Sequence, residues 1–154
     1  MNLHEWIERS RPGSVEEFVD RIEIAHECGE HSTLWKSTTD GRSHVGGQLG
    51  NTYLDYDGID LFSSTFKFAS TVDPKLRAGV KMTFTLKQLQ NEVGDVGCNF
   101  PESSIPFLYQ SGIGFYAVDV VSGRLYECDA DSGELSDEYE SLEALLDDWI
   151  IAVT

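Results

Sequence analysis

Between Ile105 and Ile150 the hydrophobic period of the chain switches from two residues to 3.6, and the switch dictates a sheet with a helix laid on it. Phe115, Ala117 and Asp119 alternate with Tyr116, Val118 and Val120, the pattern of a strand with both faces partly covered. Ser122-Gly123 supplies a turn, because glycine takes positive φ without a Cβ penalty. Arg124 to Cys128 alternates again, with Leu125 and Glu127 on one face and Tyr126 and Cys128 on the other. The two runs pair as a β-hairpin. Asp129 to Glu134 forms an acidic turn, and Ser141 stands where it caps a helix. Leu142, Leu145, Leu146, Trp149 and Ile150 share one stripe of that helix, which predicts Leu142, Leu145 and Trp149 buried against the hairpin.

Upstream, Leu3, Trp6 and Ile7 have helical spacing until Arg11-Pro12-Gly13 stops the helix. Ser14 and Glu17 have the form of a capping box, and Val15, Phe18, Val19 and Ile22 follow at helical spacing. They predict a helix from about Ser14 to Glu27. His26 then sits at its C-terminal end, with Cys28 and His31 nearby but no fourth zinc ligand at a recognised spacing. Leu34-Trp35 starts a short edge strand, Thr39 to Arg42 is a turn, and Gly46 to Gly50 is a loop lacking the Lys-Ser/Thr ending of a phosphate loop. Asp55 to Asp60 reads as an acidic turn, followed by Leu61-Phe62 in the core. Ser64 to Thr71 is a strand with Phe66 and Phe68 alternating, ended by Asp73-Pro74. Met82 to Glu92 carries Phe84, Leu86 and Leu89, with Thr85 capping a short helix through Gln88 before Gly94 and Gly97 break it. This order predicts an α+β fold in one domain over residues 1–154, a mainly antiparallel sheet flanked by helices.

The net charge of −16 narrows the partners. From Asp119 to Asp148 there are eleven acids and a single base, Arg124. Such a field repels nucleic acid and anionic membrane and speeds encounter with a basic protein. No run reaches the ~18 apolar residues of a membrane span, and Glu5 and Glu8 stand where a signal peptide is basic and then apolar. Cys28, Cys98 and Cys128 are odd in number and dispersed, which reads as reduced, inert thiols and a cytoplasmic location.

Catalytic patterns fail on inspection. Counted from Asp129, Glu140 falls at the twelfth position of a calcium loop, but Gly133 and Glu134 occupy the positions that need an oxygen ligand and then glycine. Asp55, Asp57 and Asp60 could hold Mg²⁺, and with Asp129 to Glu134 they support an alternative reading as a metal-assisted hydrolase. No G-x-S-x-G elbow occurs. The primary expectation is a non-catalytic chain with no metal or cofactor. Its contact surface comprises Asp55, Tyr56, Asp57, Asp60, Asp129, Asp131 and Glu134, at element termini where binding residues sit on a rigid scaffold.

Ile105-Pro106-Phe107-Leu108, Gly114 to Asp119, Gly123-Arg124-Leu125-Tyr126, Ser141 to Leu146 and, upstream, Gly58 to Phe62 resemble in their order the Smi1/Knr4 (SUKH) superfamily. The family's early helix and Leu-Pro-x-x-Tyr motif have no counterpart, and Gly29 to Gly50 stands in their place. The resemblance implies a sheet wrapped by helices and no catalytic chemistry. It implies an immunity protein that neutralises a bacterial toxin, such as a nuclease, by binding its basic domain.

Overall fold

The computed structural model describes residues 2–38, 45, 49–71 and 85–154. Within them lie four helices and nine strands. The order is α1 (Leu3–Ser10), β1 (Gly13–Glu17), β2 (Arg21–His26), β3 (His31–Lys36), α2 (Gly50–Asp55), β4 (Tyr56–Leu61) and β5 (Phe66–Phe68). Then come α3 (Leu86–Val96), β6 (Ser104–Gln110), β7 (Gly114–Asp119), β8 (Leu125–Asp129), β9 (Leu135–Tyr139) and α4 (Leu142–Val153). The strands form one antiparallel sheet whose spatial order is the chain order, with β1 and β9 at its edges. The α+β expectation and the antiparallel sheet both hold.

Register decides which residues share a face. Ile22, Leu34, Ile59, Phe68, Leu108 and Tyr116 stand in one row across β2 to β7, and all are buried. The same row runs on through Glu127 of β8 to Asp137 of β9. The two outermost helices cover this face together: the Trp6 indole N–H donates to Asp147 at 2.8 Å, and Trp149 stacks on Phe62 with ring centroids 4.7 Å apart. Arg9 reaches Glu143 and Trp6 reaches Asp147, so α1 and α4 run antiparallel. Packed against β6 is α3, whose capping box is complete: Thr85 Oγ1 accepts from Gln88 N–H, and the Gln88 amide oxygen accepts from Thr85 N–H. Ser141 Oγ likewise accepts from Ala144 N–H at 3.1 Å to start α4.

The β7–β8 hairpin forms as its alternation predicts, and a Cβ at Gly114 would lie 2.0 Å from the Cys128 carbonyl oxygen. Five expectations are corrected. Residues 13–26 are a hairpin, not a helix: Ile22, Ile24 and His26 are buried at period two, whereas Val19 sits 97% exposed at the turn. His26 therefore ends a strand, where its ring meets the Arg11 carbonyl and Ser32 Oγ, each at 2.7 Å. Leu34-Trp35 lies in β3, which is paired on both sides and is no edge strand. Asp55 to Asp60 is mostly strand β4, not a turn; an additional β4 residue opposite β3 makes a bulge at Asp57-Gly58, with Gly58 at φ 102°. Finally, Trp149 is half-buried rather than buried. Gly94 also lies inside α3, which ends instead at Gly97 in the left-handed region. The predicted turn at 39–42, most of the glycine loop, Asp73-Pro74, Met82 and Phe84 lie outside the described residues.

Candidate functional site

The meander sends three successive turns to one end of the sheet: 62–65, 111–113 and 130–134. Backbone bonds tie them into a row, Ser111 N–H to the Thr65 carbonyl and Ala130 N–H to the Ile113 carbonyl. Each turn needs its own internal support. Phe62, Ser63 and Ser64 all have positive φ, at 56°, 52° and 70°, a backbone region costly for residues with a Cβ. Asp60 holds them by accepting from Ser64 N–H at 2.7 Å and Ser64 Oγ–H at 2.8 Å. Asp129 accepts from Asp131 N–H at 2.8 Å and Ser132 N–H at 2.9 Å, and these bonds hold its carboxyl below the usual carboxylate range. Asp131 and Glu134 project into solvent on the same turn.

The seven expected contact residues therefore divide. Asp60, Asp129, Asp131 and Glu134 share this end of the sheet. Asp55 and Tyr56 lie at the other end of β4, roughly 13 Å or more from Asp60 at ~3.3 Å per residue. Asp55 is exposed there, and burial raises the half-buried Tyr56 phenol above its ordinary value. Asp57 is 0% exposed, because the bulge turns it inward. Its carboxylate accepts from Thr71 N–H at 2.7 Å and from the Thr71 and Ser70 hydroxyls. Asp57 thus braces the segment after β5 and presents nothing to a partner.

Beside the acidic end, under the C-terminal half of α4, lies a cleft of about 180 Å³. Tyr116, Glu127 and Tyr139 enter it from the sheet, and Leu145, Asp148 and Trp149 from the helix. The Tyr116 hydroxyl donates to Gln110 Oε1 at 2.5 Å, and the Tyr139 hydroxyl donates to Asp148 at 3.2 Å. Burial raises both phenols, helped by Glu127 at Tyr116 and by Asp137 at Tyr139, so both stay hydrogen-bond donors at neutral pH. Burial also raises the Glu127 carboxyl, with Asp137 adding to the shift and the Tyr116 hydroxyl opposing it. Among the described residues, none of the ion pairs reaches Glu127, Asp137 or Asp148.

No protein-family model, curated protein or solved structure matches this chain.

Glu127, Asp148 and the two tyrosines are absent from the sequence-derived contact surface. Glu127 did carry a signal, since alternation sets it on the inward face of Leu125, where an acid is costly without a purpose. Asp148 carried none, for its position over the sheet depends on how α4 docks. A larger open groove of about 450 Å³ crosses β1 to β3, but its Glu23 is already paired with Arg21 at 2.9 Å. Among the described residues, no three His, Cys, Asp or Glu side chains gather as metal ligands do. Of the carboxylates in the hydrolase reading, Asp60, Asp129, Asp131 and Glu134 share one end of the sheet, Asp55 lies at the other end of β4, and Asp57 is buried. The calcium-loop segment, Asp129 to Glu140, follows strand β8 and itself contains strand β9, so it is not a loop between two helices. Among the described residues, no helix is long and apolar enough to cross a membrane.

Proposed function

We propose that this chain is a non-catalytic protein-binding module for a basic partner, acting as an immunity protein acts on a toxin domain, nucleases included, within the cytoplasm. One observation carries the reading. Asp60, Asp129, Asp131 and Glu134 stand at one end of the sheet, where Lys67 opposite Asp60 is the base in the register, and Asp137 and Glu138 of β9 and Asp148 of α4 extend the exposed acidic surface beyond them. Arg124 pairs with Glu138 at 3.1 Å, and Arg9 with Glu143 at 3.2 Å. Negative potential of this kind steers a basic surface into contact and raises its association rate at low salt. The order of motifs shared with the SUKH superfamily supports the same reading, with the contact centred on the sheet end rather than on Asp55 and Tyr56.

The test is capture of a partner from the native host, followed by association rates at two salt concentrations. Asp131→Asn with Glu134→Gln should slow association severalfold and flatten its salt dependence, since rim charge acts mainly on encounter. Asp55→Asn, at the far end, should change neither. Association that ignores both salt and the sheet-end substitutions would rule out the reading.

A further inference from the structure

We infer that the cleft under α4 is a subsite for one arginine side chain. The source of that arginine, a basic protein partner, rests on the function proposed above; the chemistry of the cleft does not. Its volume of about 180 Å³ is below the ~300–1,000 Å³ of pockets for drug-sized ligands, and so suits a single side chain. Its walls combine aromatic rings, Tyr139 and Trp149, with carboxylates from both sheet and helix, Glu127 and Asp148. Asp137 stands beside Glu127 in the register and 3.4 Å from the Tyr139 hydroxyl. Rings and carboxylates together are the surroundings a guanidinium takes, face to ring and edge to carboxylate.

Three further observations point the same way. The burial that raises Glu127 is a penalty on its charged form, which an incoming cation relieves. The carboxylates are not internally neutralised by any ion pair among the described residues. And the same indole already accepts a guanidinium from within the protein: Arg11 Cζ lies 5.1 Å from the Trp149 ring centroid, although Arg11 does not line the cleft. Arginine is preferred to lysine because its planar group stacks, is weakly hydrated, and can serve separate carboxylates with its five donors.

The probe is N-acetyl-arginine amide, titrated into the intact protein at low salt and followed by NMR, with N-acetyl-lysine amide as comparator. The Trp149 indole N–H and the Glu127 and Ala152 amides should shift together with one saturation curve. Arginine should bind more tightly than lysine, and Glu127→Gln with Asp148→Asn should weaken it about tenfold, as loss of charge-assisted hydrogen bonds does. A melt of the double variant establishes that it is folded, and Asp131→Asn/Glu134→Gln should leave arginine binding unchanged. Absence of cleft shifts, shifts spread over the surface acids, equal binding of lysine, or indifference to the cleft substitutions would each overturn the subsite. None of these results bears on the proposed partner, which is read from the sheet-end substitutions alone; equally, loss of partner binding there leaves the arginine titration to stand by itself.

Discussion

At Glu127 a single carboxyl links stability to pH. Its folded-state value is raised, first by burial, while the unfolded chain holds it near the ordinary ~4.3. Between those two values the folded state binds the extra proton, so this residue's contribution falls as pH rises through the window and then stays low. Asp119 and Asp129 have the opposite sign. Hydrogen bonds from Ser103 and Val121 lower the first, and those from Ser132 and Asp131 lower the second, so their support is complete above the unfolded value and fades as pH drops through the folded one. The two slopes separate in a variant. Glu127→Gln should be more stable than the parent at about pH 7 and lose that advantage at about pH 4, in denaturant melts at both. An equal difference at the two pH values would mean the carboxyl is not ionising under burial. Ser32 shows a satisfied counterpart: its hydroxyl accepts from Phe62 N–H at 2.9 Å and meets His26 Nε2 at 2.7 Å, closing a buried chain that ends on the Arg11 carbonyl.

Among the elements, α4 docks on the core with Trp149 as well as with the buried Leu142, Leu145 and Leu146. The indole stacks on Phe62 at 4.7 Å and meets Phe66 in a T-shaped pair at 5.2 Å, and it also lines the cleft. Trp149→Ala should cost about 2–3 kcal/mol in denaturant melts, below the ~3–5 of a fully enclosed aromatic. A cost under about 1 kcal/mol would mean that α4 is held elsewhere. How α4 and its hairpin were legible, when much upstream was not, follows from the range of the forces involved. The Ser141 cap, the Thr85–Gln88 box and the Phe115–Cys128 alternation are local, and each is visible within a few residues. Residues 13–26 mislead because Ser14 and Glu17 mimic a capping box, and the pairing of β2 with both β1 and β3 overrides the helical spacing of the apolar residues. β9 escapes sequence reading because Leu135 to Tyr139 shows no buried alternation; it is an exposed acidic edge paired with β8, with Tyr139 reaching α4. The grouping of Asp60 with Asp129, and the inward turn of Asp57, follow from register and a bulge, which no short window contains.

Over the whole molecule, the sheet keeps chain order while its covering helices do not. Each strand pairs with the next one made, so the sheet can add strands in the order in which a ribosome delivers them. Trp6 waits for Asp147, 141 positions later, before its indole N–H has its partner. The clasp between the outermost helices is thus late in time as well as distant in sequence, because local closures precede long ones. Asp147→Ala should hasten unfolding and leave the folding rate almost unchanged, which the two arms of a chevron would separate; slowed folding would place the clasp in the nucleus. On a nascent chain, Trp6 gains Phe62 as a neighbour partway through the sheet, but its flank toward α4 stays open until the last helix emerges, an interval in which a chaperone has something to hold.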